Sequence, residues 1–128
     1  MPEITLEGTV FSGTGEGKKF IDLPWVKAQI EAKLGFTPFS GTLNLHLTQQ
    51  STEQRKLLEK AKTQEIIPAS GYCRGLLVKA TIGNVGGAIV VPQIPSYPSS
   101  VLEVIAPVCL RERLNLSDGS TVAVTVNV

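Results

Sequence analysis

Two short segments hold residue types that can handle a polyphosphate and a metal ion. The first is the glycine-rich run Ser12-Gly13-Thr14-Gly15-Glu16-Gly17-Lys18-Lys19. Its alternating glycines permit positive φ and close backbone approach. Successive N–H groups in such a turn form an anion-binding nest, and Lys18 and Lys19 add positive charge beside it. Neither standard nucleotide template fits: a Walker A loop needs glycine where Ser12 stands and Ser or Thr where Lys19 stands, and a Rossmann loop needs glycine at Lys18. The plain alternative is a hairpin turn with solvated lysines. The second segment is Gly41-Thr42-Leu43-Asn44-Leu45. Thr42 and Asn44 are two apart, so in a strand they share one face. A hydroxyl and an amide carbonyl are hard oxygen ligands suited to Mg²⁺, which keeps waters and binds phosphates. Taken alone, they also read as ordinary polar residues on a solvated strand.

Glu103 stands in the apolar run Val101-Leu102-Glu103-Val104-Ile105, on the strand face of Val101 and Ile105. A carboxylate desolvated there gains basicity and suits a general base; the competing role is an edge-strand charge that limits aggregation. Arg111, Glu112 and Arg113 follow Ala106-Pro107, where free N–H groups at a helix start can meet an anion or a base edge. Cys73 and Cys109 lack metal-site spacing and read as small buried hydrophobes. His46 reads as a bystander on the face of Thr42 and Asn44, and Trp25 as a core or groove-lining residue.

The elements that must position these groups are mostly short strands. Ile4 to Val10, Thr42 to Leu47, Gly86 to Pro92, Val101 to Ile105 and Thr121 to Val128 read as strands, with a further apolar run from Tyr72 to Ile82. Leu43, Leu45 and Leu47 share one face, as do Val122, Val124, Val126 and Val128. Gly83-Asn84 and Asp118-Gly119 are turn signals. Pro24 to Leu34 predicts a helix stopped by Gly35. Ser51-Thr52-Glu53-Gln54 has the form of a capping box opening a helix to about Lys62. Pro107 to Leu114 predicts a short helix with Leu110 and Leu114 inward, and Pro92 to Ser100 a loop. Several strands with few helices predict a mainly β chain, a small β-barrel with helical decoration.

The 128 residues predict a single domain spanning 1–128, large enough to bury one core without disulfides. Hydrophobic residues make up 42% and charged residues 18%, which excludes a disordered chain. A formal net charge of +1 argues against a dedicated nucleic-acid binder. With one histidine, no His-rich metal site can form. The start, Met1-Pro2-Glu3, shows no signal-peptide pattern, and no apolar run reaches membrane-spanning length, so the cytoplasm is the expected compartment.

Taken together, the segments resemble the archaeal CTP-dependent riboflavin kinase family. The matching stretches are Glu7 to Lys18, Leu34-Gly35-Phe36 with Pro38, and Gly41 to Leu45. They continue with Gly87 to Pro92, Leu102 to Pro107, Leu110-Arg111-Glu112 and Leu116 to Gly119. They run in order across nearly the whole chain, with Thr48 to Ser70 the least similar part. The resemblance implies a six-stranded cradle-loop barrel that transfers the terminal phosphate of CTP to the 5′-hydroxyl of riboflavin, giving FMN and CDP. It implies that Gly13, Thr14, Gly15, Glu16, Gly17 and Lys18 hold the nucleotide phosphates, and that Thr42 and Asn44 ligate Mg²⁺. Val108, Cys109, Leu110 and Arg111 would contact the nucleotide, and Glu103 would face the ribityl hydroxyl as its base. The flavin is expected near Pro95 and Ser96. Pro95 departs from the family, standing where threonine is usual; proline has neither hydroxyl nor N–H, and Ser96 is the nearest substitute.

Two further readings compete. One is a phosphotransferase on the same barrel with another alcohol acceptor. The other is a DNA-binding β-barrel regulator, since Leu110 to Gly119 with Val122 and Val124 resembles the C-terminal half of swapped-hairpin transcription factors. The near-neutral charge and the glycine run weigh against the second.

Overall fold

The computed structural model describes residues 2–69, 71, 74–94 and 96–128. Tyr72, Cys73 and Pro95 therefore lie outside the described residues, and so do the expectations for Cys73 as a buried hydrophobe and Pro95 as a flavin contact. The elements are β1 (Glu3–Phe11), α1 (Glu16–Ile21), α2 (Pro24–Leu34), β2 (Leu43–Leu47), α3 (Gln49–Gln54), a 3-10 helix (Arg55–Lys60), β3 (Thr63–Ile66), β4 (Gly75–Ile82), β5 (Val85–Pro92), β6 (Val101–Ile105), α4 (Leu110–Arg113) and β7 (Thr121–Asn127). No described helix is long and apolar enough to cross a membrane.

The strands run in the order β3-β4-β5-β6-β2-β1-β7, and a β4–β7 pairing closes β4 through β7 into a six-stranded ring. All pairings are antiparallel. Closure removes the open edges that a flat sheet of this size would expose. β3 hangs outside the ring on β4, paired from Thr63↔Val78 to Ile66↔Gly75.

Alternation along each strand sends one set of side chains inward. Leu6, Val10, Leu45, Ile82, Ile89, Leu102, Val104 and Val124 fill the barrel. A second core lies on the opposite face of β4, β5 and β6. There Leu77, Ala88, Val90 and Ile105 meet Ile21 of α1, Val26 and Ile30 of α2, and Ile66 of β3. The two layers explain why β5 reads as a nearly continuous apolar run: both of its faces are covered. Phe20 and Trp25 meet edge-on at 6.0 Å on the rim of this second core. His46 is exposed and stacks on Phe11 at 3.8 Å.

Three local expectations need correction. The Ser51-x-x-Gln54 capping box does not form. Thr48 is the cap of α3, its Oγ1 accepting from the Ser51 N–H at 3.1 Å. Ser51 is buried instead, and its Oγ accepts from the Glu7 N–H at 2.8 Å. That N–H lies just past the last β1–β2 pair, Gly8↔Leu47, and needs a partner. Second, the helix expected from Pro107 is only Leu110–Arg113, with Cys109 as its cap residue. Third, Cys109 is half-buried rather than buried. Replacing Thr48 by alanine is expected to cost about 1 kcal/mol of stability, measured as a shifted urea midpoint with unchanged slope.

Candidate active site

The glycine run begins where β1 ends. Gly15 takes a left-handed φ of 91° and opens α1 without a side-chain cap among the described residues. The backbone of Glu16, Gly17 and Lys18 thus forms the first turn of a helix rather than a plain hairpin turn. Its early N–H groups have no intrahelical acceptor. α1 lies against the outer face of the barrel, with Ile21 fully buried as its anchor.

That packing brings the glycines onto the predicted ligand pair. A Cβ at Gly17 would strike Thr42 Oγ1 and come within 2.8 Å of Glu103 Oε1. A Cβ at Gly13 would strike the Asn44 amide. These close approaches are why the run carries glycine at both positions. Thr42, just before β2, and Asn44, within it, lie on the face opposite the buried Leu43, Leu45 and Leu47. β6 lies alongside, with Asn44 directly opposite Glu103. Glu103 points out of the barrel beneath α1, half-buried.

The three polar side chains are joined. Thr42 Oγ1 lies 3.2 Å from Asn44 Oδ1 and 3.1 Å from Glu103 Oε1. One hydroxyl proton serves only one acceptor at a time. When that proton goes to Glu103, the Thr42 and Asn44 oxygens both keep lone pairs for another partner. Adjacent ligands of an octahedral Mg²⁺ at 2.0–2.1 Å are about 2.9 Å apart, so a 3.2 Å oxygen pair fits that ion. Among the described residues no cluster of three His, Cys, Asp or Glu side chains could hold a metal. A Mg²⁺ held by these two oxygens would need phosphate oxygens and water to complete its shell.

Two clefts meet at Thr42. The smaller, about 170 Å³, is lined by Phe39, Ser40, Thr42, Val108, Cys109 and Arg111, among others. The larger, about 490 Å³, is lined by Gly17, Phe20, Leu23, Val90, Tyr97 and Glu103, among others, and also reaches Thr42. One is small and counts Ser40, Thr42 and Arg111 in its lining, the other roomy and mainly apolar. The four expected nucleotide residues Val108, Cys109, Leu110 and Arg111 all line the first. Glu16 and Gly17 line the second, while Gly13, Thr14, Gly15 and Lys18 are exposed around the rim. Ser96 is exposed; its neighbours Ile94 and Tyr97 line the larger cleft.

Two clasps hold the rim. Asp118 accepts from Ser12 Oγ at 2.8 Å and from Arg111 Nη2 at 2.9 Å, tying α4 to the start of the glycine run. The Ser12 hydroxyl and then the Arg111 guanidinium hold its carboxyl below the usual range. Asp22 accepts from Ser40 Oγ at 2.7 Å and from Lys18 Nζ at 3.3 Å, tying α1 to the turn before β2. The Ser40 hydroxyl chiefly, with Lys18 assisting, lowers its pKa.

Some site residues escaped sequence reasoning. Ser12 and Asp118 stand in family-like stretches of the sequence, but nothing there gives either a partner. Tyr97, in the family-like Pro95-Ser96-Tyr97-Pro98 run, carries no role in the sequence, yet its hydroxyl donates to Glu103 Oε2 at 2.5 Å. Burial, together with that carboxylate, pushes the Tyr97 phenol well above its ordinary pKa. Arg55 packs 5.6 Å from the Tyr97 ring centre and donates to the Pro98 carbonyl at 3.1 Å. Burial lowers the pKa of its guanidinium. No local spacing links Arg55 to Tyr97, so only the closed barrel reveals the contact.

Comparison with known proteins gives the chain a family. Residues 10–126 match the model of the CTP-dep_RFKase family, described as a domain of unknown function, DUF120. The chain is 44% identical to a riboflavin kinase of Pyrobaculum aerophilum, over 96% of this chain and 60% of that protein. It is 38% identical to a riboflavin kinase of Methanosarcina barkeri, over 94% of this chain and 56% of the relative. A third, from Archaeoglobus fulgidus, is 39% identical over 96% of this chain and 54% of its own length. The chain thus spans little more than half the length of these curated relatives. With the family model matched along nearly its whole length, the chain belongs to the CTP-dep_RFKase family.

Proposed function

We propose that this chain is a riboflavin kinase that uses CTP as donor and Mg²⁺ as its metal, transferring the terminal phosphate to the riboflavin 5′-hydroxyl to give FMN and CDP. The observation that carries the reading is the meeting of two unlike clefts at Thr42, with Asn44 and Glu103 beside it. Phosphoryl transfer asks a protein for positioning and charge stabilisation more than for covalent chemistry. Two clefts converging on one hydroxyl answer the first need. The family match and the riboflavin kinase relatives support the choice of acceptor and donor.

In this reading the nucleotide occupies the smaller cleft, its base end near Val108, Cys109, Leu110 and Arg111. Its phosphates reach back to the glycine run, where the open N–H groups at the start of α1 and the Lys18 charge receive them. Thr42 and Asn44 would hold Mg²⁺, which would supply neutralisation of the phosphate charge. The isoalloxazine ring lies in the larger cleft against Phe20, Leu23 and Val90, and the ribityl chain runs toward Glu103. The Glu103 carboxylate accepts the hydroxyl proton as the oxygen attacks. α1 covers this point and limits water, which would otherwise compete as an acceptor.

The test is chromatographic detection of FMN from protein, riboflavin, Mg²⁺ and either CTP or ATP. FMN is expected with CTP and little with ATP. FMN with ATP alone would overturn the donor assignment. Nucleotide turnover that needs a different alcohol would replace riboflavin as acceptor.

A further inference from the structure

The Glu103 carboxylate is held at both oxygens. Oε1 faces the Thr42 hydroxyl at 3.1 Å, and Oε2 accepts the Tyr97 phenol at 2.5 Å. The second distance is that of a charge-assisted O–H···O⁻ bond. A glutamate whose two oxygens are both bonded cannot turn freely about its last torsion, which is otherwise broad. A carboxylate offers about four lone-pair sites, so two bonds fix its plane and still leave sites open to the cleft.

Tyr97 is itself clamped. The Arg55 guanidinium of the 3-10 helix lies 5.6 Å from its ring centre and donates to the carbonyl of Pro98, the next residue. The ring also lines the larger cleft beside Pro92 and Ile94. A chain of contacts therefore runs from Arg55 through Tyr97 and Glu103 to Thr42.

We infer that Tyr97 is a positioning residue for the transfer: its phenol orients the Glu103 carboxylate toward the acceptor hydroxyl. This rests on the kinase reading above and deepens it. Tyr97 acts through Glu103, so its contribution vanishes when Glu103 can no longer act as a base. Tyr97 does not line the smaller cleft assigned above to the nucleotide.

The test is a double-mutant cycle on the full chain with riboflavin, CTP and Mg²⁺. Tyr97→Phe keeps the ring under Arg55 and removes only the hydroxyl. It is expected to lower kcat by roughly 10- to 100-fold, the cost typical of losing an orienting partner, with KM for CTP unchanged. In a Glu103→Gln background the same change is expected to cost less than about twofold, because coupled residues are not additive. An unchanged kcat in Tyr97→Phe overturns the inference, and so does an equal loss in both backgrounds. The same four proteins are unfolded in urea. Non-additive midpoints support the Tyr97–Glu103 bond, and additive midpoints overturn it whatever the reaction proves to be. A wild type that makes no FMN overturns the kinase reading, and the urea cycle then decides the pair by itself.

Discussion

Replacing Asn44 or Thr42 by alanine is expected to slow FMN formation by about two to three orders of magnitude, the scale of losing metal-borne charge stabilisation. The fold is expected to survive. Both side chains lie on the outer face of β2, and the barrel filling comes from Leu43, Leu45 and Leu47 on the other side. Steady-state rates over a Mg²⁺ titration check this, alongside thermal midpoints near wild type. Thr42→Ser keeps the oxygen and is expected to retain most of the rate. Full activity in either alanine variant would remove the metal-ligand assignment. The Thr42 change carries a second consequence, because its hydroxyl also meets Glu103 at 3.1 Å. Its loss frees one carboxylate oxygen as well as one ligand, so Thr42→Ala is expected to be the more damaging.

A single methyl group at Gly17 is expected to lower the rate by about 100-fold, the cost of misplacing reacting groups by about 1 Å. Its Cβ would collide with Thr42 Oγ1 and press on Glu103 Oε1 at 2.8 Å. α1 would have to lift from the sheet, or the two side chains would have to turn away. Alanine is the better helix former by about 1 kcal/mol, so weaker helix formation cannot account for a loss. The control is Gly86→Ala on β5, where an added Cβ meets nothing within 4 Å. Rates for the two variants, with circular dichroism for helix content, separate the effects. Gly17→Ala with wild-type activity would show that α1 does not sit on Thr42 in solution.

Much of this site was legible because it depends on local periodicity. Thr42 and Asn44 share a face because strands alternate, and the buried leucines between and after them fix which face. Glu103 stood out as a charge in an apolar run, and the register places it opposite Asn44. Pro24–Leu34 carries its own start and stop signals and forms as expected. Other elements carried no such signal. α1 begins in a stretch dense in glycine, which disfavours helix by local propensity; burial of Ile21 against the second core holds it. β3 is polar and exposed except for Ile66, and exists because β4 offers an unpaired edge. Ser51 looked like a cap, and the demand of the Glu7 N–H drew it inward.

The order of residue types along the chain thus determined which atoms were available: nest-forming glycines, two neutral oxygens, one carboxylate and the strands that carry them. Their pattern also determined a mainly β fold, because period-two alternation can be satisfied only by sheets with a buried side. Closure of the barrel decided the rest. It set β2 beside β6, so that Thr42 and Glu103, distant in sequence, share a hydrogen bond. It laid α1 over that pair, brought Asp118 to Arg111 and Ser12, and placed Tyr97 and Arg55 behind Glu103. Such contacts join segments far apart in the chain, and no local spacing encodes them. They form because burying the two cores brings the polar groups at the rim within reach of one another, and partly buried polar groups take hydrogen-bond partners.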